Sequence, residues 1–145
     1  MKVVRLEDAE VVSFGPGAVY QPLIGDDENV PLRTGIQTSK PGYATAVHSH
    51  PYMEVLFVLE GTAEAWVEGD DARTVILRKG DTIAIPADVQ HGFRVIGDED
   101  LKTLGIHASP QRIVHYKDPE HRSDSRGYPI VEAPDRRQSG PPDPT

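Results

Sequence analysis

The constraint that most narrows what this chain can fold into is its punctuation. Pro and Gly each occur 13 times in 145 residues, and they fall between short apolar runs rather than in one block. Before residue 108 no stretch keeps a helical period of apolar residues. The runs are rich in Val, Ile, Thr and aromatic residues and are mostly bounded by Gly, Pro, Asn or Asp, as strands are. They predict strands over Val3–Leu6, Val11–Phe14, Ala18–Pro22, Leu32–Ser39, Thr45–His50, Glu54–Glu60, Thr62–Val67, Arg73–Leu77, Thr82–Ile85, Gly92–Ile96 and Leu101–His107. Hairpins are readable at Glu60–Gly61 and across Glu68–Ala72, which carries Gly69-Asp70-Asp71. Many short strands at regular spacing predict an all-β barrel or sandwich.

The length suits one domain with one core. Residues 1–31 supply N-terminal strands that cap the barrel or form a subunit interface, 32–117 form the barrel, and 118–145 are a Pro- and charge-rich tail. Ser109–Lys117 reads as a last strand or a short helical turn. The tail has too few apolar residues to offset its ordering entropy, so Gln138–Thr145 is expected to be disordered. Tyr128–Ala133 is the exception, expected to pack on the barrel or on a second subunit. With 15 Lys and Arg against 23 Asp and Glu the net charge is −8, the wrong sign for nucleic acid. No apolar run nears the ~20 residues that cross a bilayer. The opening MKVVRLEDAEVV interrupts its apolar residues with charges, unlike a secretory signal. A cytoplasmic protein with neither nucleic-acid nor membrane partner is expected. The absence of cysteine excludes disulfides, thiolate ligands and cysteine nucleophiles.

Chemistry concentrates in Gly42–Gly61, GYATAVHSHPYMEVLFVLEG. His48, His50 and Glu54 sit at even spacing in a segment that reads as strand, so their side chains can share one face. His91 lies downstream in GDTIAIPADVQHGFRV. Three imidazoles and a carboxylate suit Fe(II), Mn(II), Ni(II), Cu(II) or Zn(II). On a six-coordinate ion they leave two positions for water, dioxygen or a chelating substrate.

The first segment reads Gly-x5-His-x-His-x3-Glu-x6-Gly, filled by Gly42, His48, His50, Glu54 and Gly61. At this chain's residue frequencies such a match has a chance of roughly 10⁻⁶ per starting position. It resembles the first motif of the cupin family. The second cupin motif, Gly-x5-Pro-x-Gly-x2-His-x3-Asn, is matched in part by Gly80, Pro86 and His91. Asp88 replaces its second Gly and Val95 its final Asn. Asp tolerates a left-handed turn better than most residues, and Val95 is not a metal position. The resemblance covers about residues 32–107. It implies a double-stranded β-helix, a jelly-roll-like barrel of two antiparallel sheets, with one divalent transition metal (Fe, Mn, Ni, Cu or Zn) on His48, His50, Glu54 and His91.

In such barrels the strand before the first motif lines the cavity, so Arg33 and Gln37 either orient a substrate oxygen or face solvent. Tyr52 has the parity to cover the metal, unless Pro51 distorts the strand. Phe93, with Leu56, Val58 and Ile85, supplies apolar lining for a small-molecule substrate. His107 is a general acid or base projecting into the barrel, or a histidine of its rim. The leading functional expectation is an oxidoreductase of dioxygenase type, with Glu54 holding the metal or detaching as a base. The others are a metal-dependent isomerase, lyase or decarboxylase with His107 carrying a proton, and a non-catalytic binding module. A homodimer through the N-terminal strands is expected.

Overall fold

A computed structural model describes residues 1–25 and 29–131. The apolar runs pair into β1 (Val12–Ser13), β2 (Ala18–Ile24), β3 (Arg33–Ser39), β4 (His48–Ser49), β5 (Glu54–Glu60), β6 (Thr62–Val67), β7 (Arg73–Leu77), β8 (Thr82–Ile85), β9 (His91–Ile96), β10 (Leu101–His107) and β11 (His115–Tyr116). Among the described residues they form two antiparallel sheets, ordered β1-β2-β3-β10-β5-β8 and β11-β4-β9-β6-β7. No ladder joins the sheets, so the expected barrel is a jelly-roll sandwich rather than a closed cylinder.

Alternation decides what lies between the sheets. In β9, His91, Phe93 and Val95 are buried while Arg94 is exposed. Val58 and Leu101 of the first sheet meet Ala63, Ala65, Leu77, Phe93 and Val95 of the second in one apolar cluster. Burying each large member stabilises the fold by about 1.5–3 kcal/mol. The buried line of β9 thus begins with a histidine and continues as core. Val95, at the motif's Asn position, is ordinary packing. Asp88 takes φ +66°, the left-handed conformation its motif position requires.

A second cluster joins the strands before β3 to Tyr128, well beyond β11. Phe14 stacks on Tyr20 at 4.9 Å between ring centres, and Tyr128 tilts against both. Tyr128 is 1 % exposed, so the start of the Tyr128–Ala133 piece packs on the sandwich. Ile130 and Val131 remain partly open to solvent. The segment expected to be disordered, Gln138–Thr145, lies outside the described residues.

Two strand expectations need correction. Val3–Leu6 finds no ladder, and Val3 is 63 % exposed. A single 3-10 turn, Leu6–Asp8, follows instead. Thr45–His50 shrinks to the two residues of β4. Thr45 still donates its N–H to the Phe93 carbonyl, but the Ala46 carbonyl turns to the His48 ring and leaves the ladder. Ser109–Lys117 resolves towards a strand, since β11 pairs with β4.

Gly61 carries the chain from the first sheet to the second at φ +84°, where an added Cβ would strike the Asp100 carbonyl. Gly97 shares the left-handed conformation, φ +81°, in open space. In urea denaturation, Gly97→Ala should cost about 1–2 kcal/mol from backbone strain alone. Gly61→Ala should cost clearly more, because strain and collision add.

Candidate metal centre

The site spans the gap between the sheets. His48 pairs across the ladder with His91 in the second sheet, while Glu54 projects from β5 in the first. His50 follows β4, and its carbonyl accepts a 2.7 Å hydrogen bond from the Asp88 N–H, so the left-handed turn also pins this ligand. One ligand atom from each of His48, His50, Glu54 and His91 lies within 4.8 Å of the others, and the group could hold a metal ion.

The ring orientations fit that use. A carbonyl can only accept, so each Nδ1 facing one must carry the hydrogen. His48 Nδ1 donates to the Ala46 carbonyl at 2.7 Å, His91 Nδ1 to Val89 at 2.9 Å, and His50 Nδ1 to Ile113 at 2.7 Å. A neutral ring then keeps a bare Nε2 lone pair, the form that binds a metal. His50 Nε2 is buried without a hydrogen-bond partner, 3.4 Å from Glu54 Oε1. An orphaned acceptor beside a carboxylate oxygen is costly unless a cation joins them. The donor set, three imidazoles and one oxygen, suits a divalent transition metal.

Electrostatics follows from burial and crowding. Burial, reinforced by the neighbouring His91 and His50, lowers the His48 pKa to about 3. Burial also works on Glu54, but the imidazoles of His107, His50 and His91 outweigh it and hold the carboxyl well below its usual range. Burial presses His91 down, yet Glu54 raises it overall. For His107 burial wins over Glu54 and lowers the pKa.

A cavity of about 600 Å³ opens onto the ligands, with His48, Glu54 and His91 in its wall. Phe14, Tyr43, Phe93 and Tyr116 give it aromatic sides, and Gln37 and Arg112 polar ones. Gln37 and Phe93 therefore reach the cavity. Arg33 and Tyr52 do not belong to its lining. Arg33 is 1 % exposed and donates from Nη2 to the Tyr128 hydroxyl at 3.3 Å. Tyr52 is buried with its hydroxyl 2.7 Å from His107 Nδ1. His107 is 6 % exposed and places Nε2 2.8 Å from Glu54 Oε2, meeting the cavity through that carboxylate. Sequence reasoning passed over Arg112, Val114 and Tyr116, which line the cavity. They alternate with exposed Gln111, Ile113 and His115, but polar and apolar types are mixed on both faces, so residue type alone did not mark the covered one.

The cupin domain family profile matches residues 35–107. A relative named polyketide synthase CurC, from Streptomyces cyaneus, is 32% identical over 114 residues, covering 74% of this chain and 71% of that protein. A 5-nitrosalicylic acid 1,2-dioxygenase from a Bradyrhizobium species is 33% identical over 76 residues, 52% of this chain but only 35% of that enzyme. Among solved structures, an RmlC-like cupin from Shewanella frigidimarina superposes with a TM-score of 0.64 at 26% identity, covering 75% of this chain and 90% of that one.

The pKa shifts predict acid lability of the metal-free protein. An unfolded histidine protonates near 6.5, whereas folded His48 refuses the proton down to about 3. Stability should therefore fall progressively as pH drops through that window. His107, also lowered, acts in the same sense. Glu54 adds a loss below its unfolded value of 4.5. His91, raised, acts above this window: its contribution is complete below 6.5 and is lost as pH rises through its folded value. Thermal unfolding of chelator-treated protein should show Tm falling steadily below about pH 6.5. A flat profile down to about pH 4 would contradict a neutral, buried His48.

Proposed function

The chain belongs to the cupin family, and on that premise we propose that it is a metal-dependent enzyme of dioxygenase type. Its substrate is an enolisable or phenolic small molecule that presents two neighbouring oxygens. The observation carrying this reading is three imidazoles, each turned by an Nδ1–carbonyl bond so that Nε2 faces one carboxylate, bordering an aromatic cavity. The dioxygenase named among the relatives supports it. Bound there, a divalent metal supplies Lewis-acid polarisation of paired oxygens and, when redox-active, a docking point for dioxygen.

The chain's own residues do the rest. His48, His50, His91 and Glu54 hold the ion. Phe14, Phe93 and Tyr116 exclude water and favour a flat substrate. Burial, with the nearby Tyr116, raises the Tyr43 pKa, so its phenol keeps its proton and can donate to a substrate oxygen. Gln37 offers an amide on the same wall.

A second reading needs no oxygen: isomerisation, cyclisation, bond cleavage or decarboxylation of an activated carbonyl compound. The polyketide synthase name of the longer-matching relative favours it, because polyketide chains are rows of enolisable 1,3-dicarbonyls.

Protein purified without added metal should contain near-stoichiometric Fe, Mn, Ni, Cu or Zn, and His91→Ala should retain less than about a tenth of it. Equal metal in the variant, or none in the parent even after reconstitution, would overturn the reading. With a 1,3-diketone and a hydroxybenzoate as probes, turnover should require air. Equal anaerobic turnover selects the second reading, and a probe retained unchanged selects a binding module.

A further inference from the structure

Glu54 uses its two oxygens differently. Oε1 lies 3.0 Å from His91 Nε2 and 3.4 Å from His50 Nε2, among the ligand atoms. Oε2 turns away to His107 Nε2 at 2.8 Å. Three atoms face the Tyr52 hydroxyl: His107 Nδ1 at 2.7 Å, the Ile113 carbonyl at 3.4 Å, and His50 Nδ1 at 3.4 Å, whose own hydrogen is committed to the Ile113 carbonyl. Glu54 Oε2 can only accept, so His107 Nε2 carries the N–H, and in the neutral ring the bare Nδ1 takes the Tyr52 hydrogen over the short contact. The Ile113 N–H donates to the Tyr52 oxygen at 3.2 Å, completing a one-directional chain from backbone to carboxylate. The carbonyl of the same residue, in the next peptide unit, receives His50 Nδ1.

We propose that His107 and Tyr52, anchored on the Ile113 N–H, are a positioning relay that makes Glu54 a one-oxygen ligand and keeps a coordination position free for substrate. The relay rests on the metal reading above and deepens it. Tyr52 fixes the His107 tautomer, and His107 occupies the oxygen that would otherwise swing onto the ion. A carboxylate held from behind does not detach easily as a base, so Glu54 serves as a fixed ligand. His107 and Tyr52 are positioning residues, since neither lines the cavity.

The test uses full-length protein loaded with Mn(II), comparing the parent with His107→Ala, His107→Gln and Tyr52→Phe. Free Mn(II) is read by electron paramagnetic resonance, bound waters by water-proton relaxation, and folding by circular dichroism. His107→Ala should weaken Mn(II) binding about 10–100-fold, the usual cost of losing a group that orients a ligand. It should also lower the count of bound waters by about one, as Oε2 joins Oε1 on the ion. Tyr52→Phe should move both in the same direction by less, and His107→Gln should recover part of both through its amide N–H. Weaker binding with an unchanged water count and no rescue by Gln would mean simple loosening, and would overturn the relay. So would variants matching the parent. If His107→Ala fails to fold, Tyr52→Phe, which deletes one oxygen, decides alone. A parent that takes up no Mn(II) or other divalent ion would sink the metal reading beneath it.

Discussion

The Glu54 carboxylate lies buried between two sheets, and a charge in that position survives only if it is surrounded by donors or cations. Strand β5 carries it from the first sheet, while the second sheet and the residue after it bring His48, His91 and His50 to meet it. His107, its ladder partner in β10, closes the remaining side. The geometry of the sandwich follows from this meeting. Were the sheets displaced, a carboxylate and several polar rings would be left stranded in an apolar interior. The site is thus part of what sets the spacing of the sheets, alongside the apolar cluster that continues from it along β9.

Backbone carbonyls do the orienting. His48 and His91 each donate to the carbonyl two residues before them, Ala46 and Val89. The two motifs thus solve the tautomer problem locally and in the same way. The run before β4 gives up regular pairing where the Ala46 carbonyl turns to the His48 ring. His50 is different. Its carbonyl comes from Ile113, 63 residues further on, so its orientation depends on the segment after β10 being in place.

What could be read in the sequence was what period and spacing encode. The ligand quartet, the left-handed Asp88 and the inward-facing Val95 all follow from alternation, or from a motif whose gaps are fixed in residues. The two-residue β4 and the unpaired Val3 were missed because propensity says nothing about where hydrogen bonds are already committed. The link of Tyr52 to His107 was hidden for another reason. The two are 55 residues apart and approach only once β5 and β10 are side by side. The parity of Arg112, Val114 and Tyr116 was visible, but nothing in the sequence said that this run would lie over the cavity.

Ile113 offers only its backbone N–H and C=O to this site, and the residue is 37 % exposed. A scan that replaces side chains one at a time would pass over it without effect. Drift at this position is chemically free as long as the residue is not proline, which would remove the N–H that Tyr52 receives. What must be preserved is the length and path of the loop between His107 and β11. Inserting or deleting one residue there would shift the backbone under both His50 and Tyr52 while leaving every recognised metal ligand unchanged. Damage to this centre can therefore arise from a change that no inspection of its ligand residues would reveal.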